Sequence, residues 1–401
     1  MSKNHIQQAD NVIMQTYTRY PVVFEKGSEC TLWDANGKMY KDFLAGIAVC
    51  NLGHANPVIA QKMSQQAVNL VHVSNLFYTV PQIKLCQKLV DKSFANRVFL
   101  CNSGAEANEA AIKLARKYYY DLGHTRRNVI ITAKQSFHGR TYATMSATGQ
   151  EKIKKGFQPL LPGFKTVPFN DIDALKAEID DTVCAVMLEP IQGEGGVCCP
   201  ADNYLMQVRQ ICDQQGILLI FDEIQTGMGR TGKLFAYEHF DVKPDIMTLA
   251  KALANGLPMG AMLATEKIAS AFGPGAHAST FGGTPLVASA ALCVLEYIED
   301  HNVLAHCQRM GQYFTKQLLT LKEKYSCINE VRGYGLMIGM PLSIKGAPIV
   351  NKCLDKGFVI NCIQDNILRF IPPLIVQESE IDALMDCLDA VFQEVTKELI
   401  T

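Results

Sequence analysis

The sequence has almost no excess charge, no long apolar run and no cysteine framework. Its 38 Lys+Arg face 39 Asp+Glu, a formal charge of -1. A surface that binds nucleic acid broadly needs a basic surplus, so no nucleic-acid partner is expected. No apolar stretch approaches the roughly 18 to 20 residues of a membrane-spanning helix. Runs such as Val183–Leu188 and Ile217–Phe221 are far shorter, so no membrane partner is expected. The opening stretch Met1–Gln8 is polar and lacks the apolar core of a secretory signal. The 14 cysteines contain no Cys-x-x-Cys, and Cys198-Cys199 is the single adjacent pair. They read as free thiols in a reducing cytoplasm, with a redox or metal role for the vicinal pair as the lesser reading.

Apolar residues are plentiful instead. They make up 48% of the chain against 19% charged, which suits a large core and excludes disorder. The 401 residues leave room for two or three domains. Short apolar runs alternate with helical stretches, the pattern of an α/β fold with a mostly parallel sheet. Strands are expected at Arg97–Cys101, Asn128–Ala133, Val183–Leu188, Ile217–Asp222, Asp245–Thr248 and Ala261–Ala264. Helices are expected at Glu106–Asp121 and Tyr204–Gln215, and a small β-meander over Gly27–Phe43. After about residue 285 long helices take over, at Leu286–Asp300, Leu304–Lys324 and Glu378–Leu399. Between them lie short strands near Leu336–Met340, Phe358–Asn361 and Leu368–Ile371. The expected division is a large domain over 61–285 and a smaller α+β domain over 286–401, with segment 1–60 packing on the latter.

In an open α/β sheet, ligands sit beyond the carboxyl ends of the strands. The residues there are unusual for surface loops. Arg97–Cys101 runs into Asn102-Ser103-Gly104-Ala105, where a Ser cap and a helix start suit a phosphate. Asn128–Ala133 leads to Phe137, His138 and Arg140, which can stack on a ring and hold a carboxylate. Val183–Leu188 ends in Glu189 and a Gly-rich loop bearing Glu194. Asp222 follows five apolar residues, a costly place for a carboxylate without a cationic partner. Lys251 lies in the small, apolar stretch Leu249–Ala254, where desolvation favours the free amine.

Gly227-Met228-Gly229-Arg230-Thr231-Gly232 spells the dinucleotide fingerprint, but Glu223–Thr226 separate it from its strand and no helix cap follows. It reads as a flexible Gly-rich loop, and a dehydrogenase is set aside. A phosphate cradle, an aromatic face, an acid for a ring nitrogen and a Lys for a carbonyl converge on one ligand, pyridoxal 5'-phosphate.

With these motifs assembled, the chain resembles the fold-type I, subgroup III aminotransferases from about Tyr17 to about Ala390. The stretches that carry the likeness are Asn102–Glu109, Ser136–Thr141, Glu189–Gly196, Phe221–Gly232, Leu249–Leu253, Ser279–Gly283 and Leu368–Pro373. The resemblance implies a mostly parallel, seven-stranded central sheet and a smaller α+β domain. It implies Ser103, Gly104 and Ala105 on the phosphate, Phe137 on the ring face, Asp222 on the pyridine nitrogen and Gln225 near the ring hydroxyl. Lys251 would bond the cofactor aldehyde. Arg140 would take a substrate carboxylate, Tyr17 would line the entrance, and Glu194 with Arg369 would gate substrate choice. Thr280, and beside it Ser279, would serve the site of a neighbouring subunit in a homodimer. Thr284 stands where relatives carry Asn, and Ile47 where ornithine-specific relatives carry Tyr. The implied reaction moves an ω-amino group to 2-oxoglutarate, giving glutamate. Acetylornithine is the expected donor. Ornithine, succinylornithine, succinyl-diaminopimelate and 4-aminobutyrate are its competitors. A catalytically dead homologue is the remaining alternative, opposed by the intact Lys251, Asp222 and Arg140.

Overall fold

The computed structural model describes residues 2–398. Met1, and Leu399 at the expected end of the last helix, lie outside the described residues. The chain opens with strands β1 (Phe24–Ser28), β2 (Thr31–Asp34) and β3 (Met39–Asp42), the expected meander. The central sheet then uses β4 (Arg97–Cys101), β5 (Val129–Ala133), β6 (Phe164–Val167), β7 (Val183–Leu188), β8 (Leu218–Asp222), β9 (Ile246–Leu249) and β10 (Gly260–Ala264). Their spatial order is β4-β10-β9-β8-β7-β5-β6. All are parallel except β10, which runs antiparallel to both β4 and β9. This is an α/β fold with a mixed seven-stranded sheet.

Burial explains the sequence texture. Every residue of β7, β8, β9 and β10 is buried, because helices cover both faces of the sheet. The helix Gly104–Asp121 packs on β9 and β10 through Ala107, Ala110, Ala111, Leu114 and Ala115. Small residues on that face let it lie close to the sheet. β6 escapes the apolar pattern because Phe-Lys-Thr-Val is a half-buried edge strand. The helices Pro57–Asn69 and Val80–Asp91 also go unforeseen, since each buries only one or two side chains.

The late chain adds β11 (Arg332–Tyr334), β12 (Met337–Pro341), β13 (Phe358–Val359), β14 (Asn361–Ile363) and β15 (Ile367–Phe370). The single strand expected at Phe358–Asn361 is two. β13 joins the meander by pairing in parallel with β3, while β14 joins the antiparallel sheet β11-β12-β15-β14. The first sixty residues and the late chain therefore share one sheet.

The Gly227–Gly232 loop departs from expectation. It is buried rather than loose, with Arg230 fully enclosed. Its guanidinium donates to the Leu336 and Pro372 carbonyls at 2.9 and 2.5 Å and to Asn51 Oδ1. The glycines let this loop lie against the C-terminal sheet. A Cβ on Gly335, for instance, would sit 2.5 Å from the Thr231 carbonyl carbon.

Candidate active site

The carboxyl ends of β4, β5, β7, β8 and β9, with the approach to β10, surround a cavity of about 430 Å³. Ser103, Gly104, Ala105, Phe137, Arg140, Glu194, Asp222, Gln225 and Lys251 all line it. So do Glu189, His138 and Val49. Its size is that of a small-molecule site.

The helix after β4 begins at Gly104, two residues before the apolar pattern starts, so Gly104 and Ala105 form its first turn. Ser103 caps it, its Oγ accepting from Glu106 N at 3.2 Å. Free N–H groups and the positive dipole end thus lie at the cavity edge, where an anion is stabilised. Gly104 also lets the backbone pack closely against the Ile224 side chain. A Cβ there would meet Ile224 Cδ1 at 2.8 Å.

Asp222, at the end of β8, is 3% exposed. Its Oδ2 accepts from Asn108 Nδ2 and lies against His138 Nδ1, both at 2.8 Å. Its Oδ1 accepts from Ile224 N at 3.0 Å. A buried carboxylate fixed in this way and facing a cavity suits a cationic ring nitrogen. His138 Nε2 is buried with no hydrogen-bond partner among the described residues.

Lys251 lies one residue beyond β9, after Ala250, and is the first residue of a 3-10 turn. Its φ of +45° lies in the left-handed region, a strain of about 1 to 3 kcal/mol for a residue with a Cβ. Burial lowers its pKa below the usual lysine value; nearby Glu194 opposes this and Arg369 adds to it.

Arg369 comes from β15, in register with Gly339 and Asn361. It is wholly buried. Its Nη1 donates to Glu194 Oε1 at 2.5 Å and to Gln225 Oε1 at 3.2 Å. Gln225 Nε2 donates to the same Glu194 oxygen at 3.3 Å. Arg369 Nη2 is buried without a partner among the described residues. Burial alone would raise the Glu194 pKa, but Arg369 and Lys251 outweigh it and hold the carboxyl below its usual value. Gly339 admits the β15 sheet to this place, since a Cβ there would lie 2.8 Å from Val197 Cβ.

Arg140 is exposed at the mouth, its guanidinium 5.7 Å from the centre of the Phe137 ring. It has no carboxylate at ion-pair distance among the described residues. A second, outer cavity of about 560 Å³ shares Phe137, Arg140 and Glu194 with the inner one.

Three expected residues lie elsewhere. Tyr17 is 72% exposed and lines neither cavity; Tyr20 lines the outer one. Thr280 is exposed and faces a small crevice with His72 and Asn75. Ser279 lies beside the cavity without lining it, its Oγ accepting from Asn102 Nδ2 at 3.1 Å.

Glu189, Asn108 and Tyr20 were not singled out as site residues. Glu189 Oε1 accepts from Gly193 N at 3.0 Å and Oε2 from Phe137 N at 3.1 Å. Burial raises its pKa to about 7, against the pull of His138. The adjoining Leu188-Glu189 step from buried strand to acid was the signal for it. Asn108 carries none, because an amide in an alanine-rich helix resembles any other polar residue.

All 14 cysteines are free, Cys198 and Cys199 included, and no cluster of His, Cys, Asp and Glu among the described residues could hold a metal.

The family model "Aminotransferase class-III" matches residues 12–392. The acetylornithine aminotransferase of Methanocaldococcus jannaschii is 52% identical, over 98% of this chain and 99% of that protein. That of Caldanaerobacter subterraneus is 51% identical, over 96% and 98%. Among solved structures, ornithine aminotransferase from Toxoplasma gondii superposes with a TM-score of 0.96 at 33% identity, covering 99% of this chain and 96% of that one. Acetylornithine aminotransferase from Elizabethkingia anophelis gives 0.87 at 32%, covering 98% and 99%. With its cavity, its sheet and nearly all of its length matched, the chain belongs to the class-III aminotransferases, whose cofactor is pyridoxal phosphate.

Proposed function

We propose that this protein transfers the δ-amino group of N2-acetylornithine to 2-oxoglutarate, producing N-acetylglutamate 5-semialdehyde and glutamate. The observation that carries this reading is a pair of arginines in different states. Arg140 stands open at the mouth, while Arg369 lies buried and covered by Glu194. A donor with one carboxylate needs only Arg140, and its aliphatic arm then passes a neutralised Arg369. A dicarboxylate needs both, so Glu194 must swing aside for it. One site can thereby take both substrates in turn.

The residues suit the cofactor. The helix start at Gly104 presents free N–H groups at the cavity edge, and Asp222 is a fixed, buried acid. Ser103, Gly104 and Ala105 would hold its phosphate, Phe137 its ring face, Asp222 its ring nitrogen and Gln225 its hydroxyl. When bound, it supplies an aldehyde and an electron-accepting ring. Lys251 Nζ, its pKa lowered by burial, is the base that would take the proton from the donor carbon bearing the amine.

The fourteen free cysteines support a reducing, cytoplasmic setting. The apolar surface around Thr280 supports a homodimer with shared sites. Leu76, Tyr78 and Phe281 are 85%, 93% and 61% exposed, an arrangement that a second copy would cover. Tyr17, exposed beside Tyr20 in sequence, reaches the entrance only if its segment folds over the outer cavity.

A comparison of kcat/KM for acetylornithine, succinylornithine, ornithine and 4-aminobutyrate, with 2-oxoglutarate as acceptor, tests the reading. Acetylornithine is expected to lead. A lead by ornithine or 4-aminobutyrate would overturn the choice of donor, and no transamination with any donor would overturn the reading entirely.

A further inference from the structure

We propose that Glu189 is a positioning residue that locks the substrate gate to the loop carrying Phe137, so that the two respond as one unit. The inference rests on the aminotransferase reading and deepens it. Glu189 follows β7 at once and is 6% exposed. Its two carboxylate oxygens serve two different loops. Oε1 accepts from Gly193 N at 3.0 Å, at the base of the turn that presents Glu194. Oε2 accepts from Phe137 N at 3.1 Å, in the loop after β5. One rigid, planar group therefore spans the two.

Gly193 carries the link onward. Gly196 N and Val197 N both donate to its carbonyl at 3.2 Å, closing the turn around Glu194. Its own Cα is packed so tightly that a Cβ would fall 2.3 Å from Gln225 Oε1. Gln225 in turn bonds to Glu194 and Arg369. The Phe137 backbone is thus joined to Glu194 through a continuous chain of hydrogen bonds and close packing. The same chain leads back from Glu194 when it leaves Arg369 for an incoming dicarboxylate.

The link needs a carboxylate. Both oxygens must accept, and the carboxylate, ionised as the pH rises above its raised pKa of about 7, then has no donor hydrogen to interfere. An amide of the same shape would turn its NH2 toward one of the two N–H groups and release that loop. The other charged and titratable groups near Glu189 are His138 from the loop after β5, Asp222 from β8, Lys251 after β9 and Cys198 beyond the Glu194 turn. None of them bonds to it. Its hydrogen bonds both go to backbone, which is the pattern of a brace and not of a proton carrier.

Glu189→Gln tests the proposal with three readouts. These are the glutamate-to-acetylornithine ratio of kcat/KM, the affinity of the apoprotein for pyridoxal phosphate by fluorescence titration, and the thermal midpoint. The ratio should shift toward glutamate, as in Glu194→Ala, and the affinity should fall, each by about threefold or more. A lower midpoint with ratio and affinity unchanged would show a merely structural acid and overturn the proposal. A change in only one of the two would equally overturn the link. Should Glu189→Gln not fold, a cycle of Phe137→Leu and Glu194→Ala in the native background decides. Their effects on cofactor affinity should depart from additivity by about threefold or more, and additivity would refute the coupling. Because that cycle reads binding, it judges the coupling of the Phe137 loop to the gate even if no donor is transaminated, an outcome that would strike the aminotransferase reading instead.

Discussion

At the scale of single residues, the gate makes the sharpest claim. Glu194 sits 2.5 Å from an Arg369 that has no access to water. Removing the acid as Glu194→Ala leaves that guanidinium uncovered in both half-reactions. Glutamate then reaches Arg369 without competition, whereas the aliphatic arm of acetylornithine faces a bare charge. A lost charge-assisted contact is worth roughly 1.5 to 3 kcal/mol, so the ratio of kcat/KM should move toward glutamate by about tenfold or more. Single-turnover rates with each donor measure it, and equal losses for both would reduce Glu194 to a loop acid. Asp222→Ala is the companion test. The variant should still bind cofactor through Lys251, yet both half-reactions should slow by orders of magnitude; near-native rates would assign the ring nitrogen another partner. Much of this geometry was visible in the sequence because each residue breaks a local rule. Asp222 ends an apolar run, and Lys251 interrupts a small-residue stretch. Glu189 ends an apolar run as Asp222 does, but Asn108 breaks no rule, and the partners of both, two backbone N–H groups and a distant carboxylate, are ones that only folding brings near.

Elements position those residues, and one small clasp among them is open to titration. Asp42 ends β3 and its Oδ1 accepts from Leu44 N and Ala45 N at 2.8 and 3.0 Å. Its Oδ2 meets His54 Nε2 at 2.6 Å. Between the two partners runs a tight segment, Ala45–Ala48, with every φ positive from Ala45 to Ala48, that delivers Val49 to the cavity wall. Burial alone would lower the His54 pKa, but the bond to Asp42 and the neighbouring Cys50 push it up to about 9. A folded-state pKa raised above the unfolded value of 6.5 means that the folded protein binds more protons between those two points. The clasp therefore contributes fully below pH about 6.5 and fades as the pH rises through about 9, by on the order of 2 to 3 kcal/mol. The thermal midpoint should drop over that window, and His54→Gln should flatten the drop. An unchanged slope in His54→Gln would place the titrating group elsewhere. Strands buried on both faces, such as β7 and β8, were legible from sequence almost to the residue. Edge and surface elements were not, since β6 and the helices Pro57–Asn69 and Val80–Asp91 bury too little apolar surface to impose a period. We propose that segment 1–60 joins 286–401 as a smaller domain through the β3–β13 pairing. The helix Pro285–Asp300, which we place at that boundary, packs on Pro57–Asn69 and Val80–Asp91 and so ties it to the larger one.

At the scale of the whole molecule, one exposed apolar surface stands out. Leu76, Phe77 and Tyr78 project from one loop, and Phe281 from another, held together where Asn75 Nδ2 donates to the Ser279 and Gly282 carbonyls at 2.9 and 3.0 Å. Thr284 Oγ1 also donates to the Val71 carbonyl, so the Asn-to-Thr departure keeps a side chain that fastens these loops. Such bracing of exposed apolar side chains fits a surface that is buried on association. Thr280 rides on this surface and turns away from the cavity of its own chain. If it instead completes the site of a second copy, each site needs Lys251 from one chain and Thr280 from the other. Two inactive variants then rescue each other. Lys251→Ala lacks the amine in its own site, and Thr280→Ala, with Ser279→Ala added to remove its neighbour, lacks the contribution made across the interface. In a mixed dimer one site carries both defects and the other carries neither. After unfolding and refolding of an equal mixture, half of the molecules are mixed dimers by chance pairing, and each holds one intact site. Activity should therefore return to about a quarter of the wild-type level per site, a statistical expectation for symmetric association. No recovery, with dimers verified by light scattering, would place Thr280 outside any shared site. Recovery without dimers would be impossible on this scheme, so light scattering alone, reporting a monomer at the assay concentration, already refutes it.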